Sequence, residues 1–318
     1  MQPHELKELR ELLAPGKKII VGVSGGVDSM VLVDILHRNR NYFQKDFKVL
    51  HVDHQISPNS ATWAKFVEDY CIERSIPCEV VRVDVKQFGN NLERAARQAR
   101  YQAFTEQHSD MIVLAHHSDD QCETFFLKLF RGSGLKGLRC MTKTGPSWID
   151  PQVLLVRPLL NWDKDRIKNY AADNLVPNIE DASNMDTNFD RNWIRHELWP
   201  VIIERNEIAD INLHRSIALI NEGWELTQDL ARIDLESCSN SDGSLDWRKV
   251  KLLSRRRLKN LLLHILDQNH ITGFSTHQVE EFAKSLTVAD LDSRNELKIK
   301  NFVMRKHGKK IVYETVNC

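Results

Sequence analysis

The first half of the chain alternates short apolar runs with longer stretches in which apolar residues recur at helical spacing. Residues 19–23 are mostly β-branched, which is typical of a strand buried on both faces, and residues 28–38 then carry an apolar helical stripe. The pattern continues with strands predicted at 48–52, 79–83 and 111–115, and with helices at 60–74, 92–107 and 121–131. This order predicts an α/β fold with a doubly wound parallel sheet.

Beyond residue 160 the pattern becomes mainly helical. Helices are predicted at 163–173, from 192 onward, at 249–266 and at 276–286, and a hairpin at 297–313 that turns at His307 and Gly308. Residues 238–244, CSNSDGS, have the composition of a linker. We therefore expect an α/β domain at 1–205, a helical linker at 206–240 and a small α+β domain at 241–318.

Charge and composition limit the kinds of partner, cellular location and metal centre that the protein can have. The 318 residues include 44 basic and 44 acidic side chains, so a polyanionic partner would have to be bound by local patches. No apolar run approaches the roughly 20 residues of a membrane span, and the polar N-terminus does not resemble a signal peptide, so we expect a cytoplasmic protein without membrane contact. The six cysteines form no Cys-x-x-Cys pair, which argues against a zinc ribbon or an iron–sulfur centre.

The segment SGGVDS lies between the first predicted strand and helix, where backbone N–H groups and the helix dipole favour an anion. It lacks the lysine of a usual phosphate-binding loop. Asp28 would repel a phosphate unless a cation lies between them, and a magnesium ion bound to nucleotide phosphates is the usual one. The alternative is a tight turn capped by Ser24 or Asp28.

A second polar cluster, His116, His117, Asp119, Asp120 and Glu123, follows the fourth predicted strand. Asp120 and Glu123 are three residues apart at the start of a helix, so they share a face and could bind an ammonium group together. Acids are also favoured in any first helical turn, which would explain either one alone. A metal site is a weaker alternative, because adjacent side chains at a strand end point to opposite faces.

Several basic segments could contact a polyanion. They are Arg94, Arg97 and Arg100 on one helix, Arg131 in RGSG, Arg191 and Arg195 among aromatic residues, Arg255, Arg256, Arg257 and Lys259 on a later helix, and the cations of the hairpin. Arginines interleaved with aromatics suit an unpaired base held by its phosphates. Each segment alone is more simply a solvated face, and RGSG is also a usual end of a helix.

Together these segments resemble the tRNA(Ile)-lysidine synthetases of the N-type ATP pyrophosphatase (PP-loop) superfamily. The similarity is carried by SGGVDS, HVDHQ, NLERAARQARY, LAHHSDDQCET, LFRGSGLKGL, RPLL and DASNMDTNFDRNWIRHELWP, in the order and spacing of the family. Past residue 200 the similarity is looser, and the chain resembles a short form without the last C-terminal domain. Gln55, Ile56 and Ser57 stand where many members have Leu-Arg after the His-x-x-His segment.

The resemblance implies an N-type ATP pyrophosphatase catalytic domain at 1–205 with a Rossmann-like sheet and a tRNA-contacting domain at 241–318. It implies that ATP adenylates the C2 oxygen of the wobble cytidine in isoleucine tRNA with a CAU anticodon, and that the ε-amine of free L-lysine then displaces AMP. A tRNA thiolase of the same superfamily and a non-catalytic nucleotide- or RNA-binding module are the alternatives. The oligomeric state stays open, with a homodimer as one option.

The resemblance also implies roles for individual residues. Asp28 would hold Mg²⁺, His116 would stabilise charge near the C2 oxygen or the α-phosphate, and Asp120 with Glu123 would bind the α-ammonium group of lysine. ATP would be bound by Ser24, Gly25, Gly26, Val27, Asp28 and Ser29. The residues expected to contact tRNA or phosphate are Arg97, Arg131, Arg191, Arg195, Arg255, Arg256 and Lys259.

Overall fold

The computed structural model describes residues 1–89, 92–180, 187 and 190–315. They form two compact units, Met1–Ile217 and Ala218–Cys318. None of the helices in these ranges is both long enough and apolar enough to cross a bilayer.

The first unit is built on a six-stranded sheet with the order β3-β2-β1-β4-β6-β5. All neighbouring strands are parallel except β5, which is antiparallel to β6. The strands are β1 (Ile19–Gly22), β2 (Phe47–Asp53), β3 (Cys78–Arg82), β4 (Met111–Val113), β5 (Thr144–Pro146) and β6 (Leu154–Val156). The predicted α/β fold with a parallel sheet is therefore confirmed.

Helices cover both faces of this sheet. The helices of the first unit are α1 (Pro3–Leu13), α2 (Val27–Arg38), α3 (Arg40–Phe43), α4 (Ser60–Glu73), α5 (Leu92–Glu106), α6 (Ser118–Phe130), α7 (Leu135–Leu138), α8 (Lys164–Asp173), α9 (Asp190–Trp193) and α10 (Trp199–Arg205). Helix α11 (Ala209–Cys238) begins in the first unit, and most of its residues belong to the second. A 3-10 helix spans Val85–Phe88 and a π-helical turn spans Ile194–Leu198.

The central strand β1 is buried on both sides, as its apolar run predicts. Val21 belongs to the core layer shared with α2, α4 and α8, whereas Ile20 packs in the opposite layer with Tyr101 and Phe104 of α5. The chain runs from β1 outward to β2 and β3 and returns to β4 on the other side of β1. The loops after β1 and β4 therefore face each other at the point where the strand order reverses, and ligands bind at such points in open α/β sheets.

The second unit combines helices with a four-stranded antiparallel sheet of order β7-β10-β9-β8. Its elements are β7 (Leu245–Asp246), α12 (Trp247–Leu252), α13 (Arg255–Gln268), α14 (Thr276–Val288), β8 (Asn295–Ile299), β9 (Phe302–His307) and β10 (Lys310–Thr315). Its core contains the buried faces of α13 and α14 against the sheet.

Two predictions for this region were wrong in detail. The helix predicted at 249–266 is divided into α12 and α13, because Leu253 is extended and the Ser254 side chain accepts a hydrogen bond from the Arg257 amide as the N-cap of α13. The predicted hairpin is a three-stranded meander, in which β8 pairs with β9 ahead of the turn at Gly308. Most of segment 206–240 lies in the single helix α11.

Candidate functional site

The SGGVDS loop forms a braced turn at the N-terminus of α2. Gly25 has φ +93°, a left-handed conformation that favours glycine, and an added Cβ would lie 3.2 Å from Ile179 Cδ1. The Ser29 hydroxyl donates to the Gly26 carbonyl at 2.9 Å and accepts from the Ser24 amide at 3.2 Å. Val27 begins the helix after Gly26, which has an extended backbone. The loop thus presents a helix N-terminus of the kind that binds phosphate.

Asp28 lies in the first turn of α2 and has two basic neighbours. Lys164 Nζ donates to Asp28 Oδ1 at 2.5 Å, and His117 Nε2 lies 3.7 Å from the same oxygen. The Asp28 side chain remains 29% exposed. The sequence analysis missed Lys164. A lysine in the first turn of a helix is disfavoured by the helix dipole, so its place in the predicted helix at 163–173 could have indicated a role outside that helix.

His117 is buried among three carboxylates at the end of β4. Its Nδ1 lies 3.7 Å from Asp119 Oδ1, and its Nε2 lies 3.7 Å from oxygens of Asp28 and Asp120. Burial alone lowers the pKa of His117, but the neighbouring carboxylates of Asp119, Asp120 and Asp28 outweigh it and raise the pKa above its usual value. His117 therefore links the loop after β1 to the start of α6.

His116, the predicted charge-stabilising residue, has a different environment from His117. Burial lowers its pKa to about 3. The negative charge of Asp120 works against this shift, and the positive charge of Arg157 adds to it. Its buried Nδ1 has no hydrogen-bond partner among the described residues. At neutral pH the His116 ring is uncharged, so it can donate or accept a hydrogen bond but brings no positive charge to an oxyanion.

Asp120 and Glu123 lie on one face of α6 and are both bound by arginines. Arg191 Nη2 donates to Asp120 Oδ1 at 2.5 Å and its Nε donates to Glu123, while Arg195 Nε donates to Glu123 Oε1 at 2.6 Å. Burial opposes ionisation of Asp120, but the charges of His117 and Arg191 dominate and lower its pKa to about 2. Asp120 is therefore ionised, and both acids already face arginine side chains.

The other arginines of the first unit expected to bind tRNA lie at its surface. Arg97 is exposed and stacks over the Tyr101 ring, 5.0 Å from its centroid. Arg131 follows α6, and its Nη2 lies 3.8 Å from Asp190 Oδ2. Phe130 directly precedes Arg131 in the sequence, and Trp193 lies between Arg191 and Arg195. Both aromatic side chains are exposed, and their ring centroids are 6.3 Å apart.

In the second unit the basic stretch of α13 is partly paired with acids. Arg255 Nη2 and Lys259 Nζ both contact the Glu280 carboxylate, at 2.7 and 3.1 Å. Arg256 is exposed. Arg257 donates to the fully buried Asp234 and thereby ties α13 to α11.

Parts of two motifs lie outside the described residues, namely Asn91 in NLERAARQARY and residues 181–186, 188 and 189 of DASNMDTNFDRNWIRHELWP. The arginines of the second motif are described. They bring α9 and the following π-helical turn to the acids of α6, which the spacing of the motif alone could not reveal.

Comparison with known proteins gives consistent matches. A family model described as the PP-loop domain matches residues 1–202. The solved structure of the U34-tRNA thiolase NcsA from Methanococcus maripaludis has a TM-score of 0.52 at 16% identity, covering 69% of this chain and 81% of that chain, which shows a shared fold.

Curated relatives named tRNA(Ile)-lysidine synthase match most of the chain. The protein from Nitrosomonas europaea is 34% identical over 300 residues, which cover 94% of this chain and 65% of that protein. The protein from Neisseria meningitidis serogroup B is 37% identical, over 86% of this chain and 64% of that protein. The protein from Actinobacillus pleuropneumoniae serotype 3 is 33% identical, over 94% of this chain and 70% of that protein. The chain thus spans about two thirds of the length of these relatives. By its motifs, fold and matches, the chain belongs to the tRNA(Ile)-lysidine synthase family of PP-loop proteins.

Proposed function

We propose that the protein joins free L-lysine to C2 of the wobble cytidine in isoleucine tRNA with a CAU anticodon, and converts ATP to AMP and pyrophosphate. The observation that carries the proposal is the position of His117 between Asp28 of the phosphate-type loop and Asp120 of the acid pair, 3.7 Å from an oxygen of each. A nucleotide at the loop and an ammonium group at the acids would therefore be neighbours in one site.

The loop residues would bind ATP. The amides around Gly25 and Gly26 and the dipole of α2 attract the phosphates, and the Ser24 and Ser29 hydroxyls keep the turn in shape. Asp28 would hold Mg²⁺, which its partly exposed carboxylate suits because magnesium prefers oxygen ligands. Magnesium, when bound, supplies positive charge to the phosphates.

In the first chemical step the C2 oxygen of cytidine attacks the α-phosphorus of ATP, and the bond from that phosphorus to the pyrophosphate breaks. Pyrophosphate leaves with the electron pair. We assign to His116 a hydrogen bond from its neutral ring to the reacting oxygens. An imidazole kept uncharged by burial can act as such a donor, because one of its nitrogens carries a proton.

In the second step the ε-amine of lysine attacks C2, and the C2–oxygen bond breaks to release AMP. Asp120 and Glu123 would bind the α-ammonium group and so orient the amine. This requires lysine to displace Arg191 and Arg195 at least in part, since both arginines now contact the acids. The released guanidinium groups would then be available to the phosphates of tRNA.

The tRNA would be bound by arginines together with aromatic side chains. Phe130 and Trp193 offer exposed rings on which an unpaired base could stack, next to Arg131 and Arg191. Arg97, Arg195 and the basic residues of α13 are proposed as further phosphate contacts. We propose the cytoplasm as the location of the reaction.

A thiolase in the same superfamily is less well supported. Such chemistry uses a reactive thiolate, whereas burial and the neighbouring Asp210 carboxylate raise the pKa of the Cys122 thiol, which lies beside the acid pair. Burial likewise raises the pKa of Cys140 to about 12. A binding module without catalysis would not need the acids at Asp120 and Glu123.

The test is the formation of AMP and pyrophosphate from ATP with the purified protein, Mg²⁺, L-lysine and isoleucine tRNA with a CAU anticodon. We expect pyrophosphate release to require this tRNA and lysine-dependent release of AMP to follow. Replacement of lysine by a sulfide donor separates the two enzymatic candidates. Product formation with sulfide but not with lysine would support the thiolase, and no nucleotide conversion under either condition would support the binding module.

A further inference from the structure

Three side chains of different chemistry meet where the start of α11 lies against α6. A ring nitrogen of His214, the sulfur of Cys122 and a carboxylate oxygen of Asp210 lie within 4.8 Å of one another. All three residues belong to the first unit. Asp210 and His214 are four residues apart on α11 and share a face, whereas Cys122 comes from α6, directly before Glu123. The proposed reaction gives none of the three a role.

The distances between these donor atoms suit a tetrahedral metal ion. Cys122 Sγ lies 3.4 Å from Asp210 Oδ1, and His214 Nδ1 lies 3.3 Å from the same oxygen. Zinc bonds of about 2.0–2.3 Å to sulfur, nitrogen and oxygen place neighbouring ligand atoms about 3.4–3.6 Å apart. An ion could therefore bind all three side chains with little movement of either helix.

The surroundings of the cluster favour a cation. Burial raises the pKa of the Cys122 thiol, and the charge of Asp210 adds to this shift. Asp119 and Glu123 act in the same direction, so three carboxylates lie close to the sulfur. The Nε2 atom of His214 is buried and has no hydrogen-bond partner among the described residues. The Asp210 and His214 side chains are 40% and 29% exposed, so an ion can enter from solvent.

We propose that Cys122, Asp210 and His214 bind one Zn²⁺ ion, with water at the fourth position of the tetrahedron. On binding, the thiol proton is released to solvent and the sulfur coordinates as a thiolate, since the ion supplies the positive charge that balances it. Sulfur and imidazole ligands favour zinc over magnesium, which prefers oxygen. The ion would join the first two turns of α11 to α6. This inference does not depend on the proposed reaction.

The test uses Co²⁺ as the probe, because cobalt binds at zinc sites and absorbs in the near ultraviolet when a thiolate coordinates it. The protein is treated with EDTA, exchanged into buffer with a phosphine reductant and titrated with Co²⁺, and Zn²⁺ is then added in competition. We expect one Co²⁺ per chain with the thiolate absorption band, and we expect Zn²⁺ to remove the band by displacing cobalt.

Three variants each remove one ligand. Cys122→Ser should abolish the thiolate band. Asp210→Asn and His214→Asn should each weaken zinc binding by about a hundredfold or more, because loss of even an outer-shell partner of a metal ligand costs about 10–100-fold. Cys140→Ser is the matched control, since it removes another thiol of the first unit that is not in the cluster, and it should match the parent.

A parent protein without the thiolate band would overturn the proposal, and so would a band that persists in Cys122→Ser. Zinc affinity that is unchanged in both α11 variants would also overturn it. These two variants lie at partly exposed positions, so the test stands even if Cys122→Ser does not fold. Asp28→Asn should keep the band and the affinity. Zinc binding that is lost in Asp28→Asn would place the ion at the loop after β1 and contradict the assignment.

Discussion

Arg191 Nη2 lies 2.5 Å from Asp120 Oδ1 and joins α9 to the start of α6 across 71 positions of the chain. The contact means that the acid proposed to bind the α-ammonium group of lysine already has a cationic partner. Asp120 is nearly buried, and such a carboxylate stays ionised only where positive charge is close. Lysine binding at this position is therefore an exchange of one cation for another.

Asp120→Asn should weaken the use of lysine far more than the use of ATP, because a neutral amide cannot balance an ammonium group. We expect the apparent lysine affinity to fall by about tenfold to a hundredfold, which corresponds to roughly 1.5–3 kcal/mol for one charge-assisted contact. Glu123→Gln should act in the same direction. The measurement is the KM for lysine and for ATP, with Asp69→Asn on the exposed side of α4 as control. An unchanged KM for lysine with a raised KM for ATP would instead assign Asp120 and Glu123 to the nucleotide site.

Asp28→Asn should abolish the formation of AMP and pyrophosphate and leave the fold intact. The substitution is nearly isosteric, but it removes the charge proposed to hold magnesium. Circular dichroism would verify the fold, and Asp173→Asn at the exposed end of α8 provides a control of equal chemistry. Unchanged turnover at saturating magnesium would exclude this role for Asp28.

Replacement of Arg255, Arg256 and Lys259 by alanine should weaken tRNA binding and flatten its salt dependence. Each lost phosphate contact removes about one released counterion from the slope of log affinity against log salt. ATP binding should not change, because the proposed ATP site lies in the other unit. Equal slopes for the variant and the parent would identify this face of α13 as a solvated surface whose cations pair with Glu280.

Arg257→Ala is the matched comparison on the same helix. Arg257 pairs with the fully buried Asp234, so its loss should lower the melting temperature, whereas the slope of tRNA affinity against salt should stay as in the parent. A flattened slope with an unchanged melting temperature would assign the tRNA contact to Arg257 instead.

His116 should make the protein less stable in acid. Its pKa is about 3 in the folded state and 6.5 ordinarily, so below pH 6.5 the unfolded chain takes up a proton that the folded protein does not. The stability from this group is thus fully present above about pH 6.5 and is lost as the pH falls toward 3, at a limit of about 1.4 kcal/mol per pH unit. His117, with its raised pKa, acts in the opposite direction, and its contribution is lost as the pH rises.

The measurement is the free energy of unfolding by urea between pH 7 and pH 4. We expect the free energy of unfolding to decrease less between pH 7 and pH 4 for His116→Asn than for the parent. His277→Asn, at an exposed position of α14, should show the same pH dependence as the parent. Parallel curves for His116→Asn and the parent would mean that His116 takes up a proton in the folded state as readily as in the unfolded chain.

Local patterns predicted much of the first unit. The β-branched run that contains Ile20 and Val21 is buried on both faces of the sheet, because an uninterrupted apolar run has no polar face to expose. The strands Thr144–Pro146 and Leu154–Val156 were not predicted, since three residues are too few to show a period. In the second unit the apolar spacing of residues 249–266 is continuous and predicts one helix. The structure has two helices there, because Ser254 is the N-cap of α13.

The sequence predicted individual residues of the candidate site but not the contacts between them. The loop and the acid pair have recognisable sequences, and strand order explains why they meet. The partners Lys164 and Arg191 reach these carboxylates from 136 and 71 positions away, and no local spacing encodes such pairings. Burial, which keeps His116 uncharged and leaves Asp120 dependent on cations, likewise follows from packing between distant elements.

Incorporation of labelled L-lysine into tRNA tests the central claim most directly. The protein is incubated with ATP, Mg²⁺, radiolabelled lysine and either an isoleucine tRNA transcript with a CAU anticodon or the same transcript with uridine at the wobble position. We predict that each tRNA with cytidine at the wobble position takes up one labelled lysine, that the label precipitates with the tRNA in acid, and that AMP is formed. We predict no incorporation into the transcript with uridine at that position. Absence of labelled lysine from the cytidine transcript, with ATP and magnesium saturating, would contradict the account.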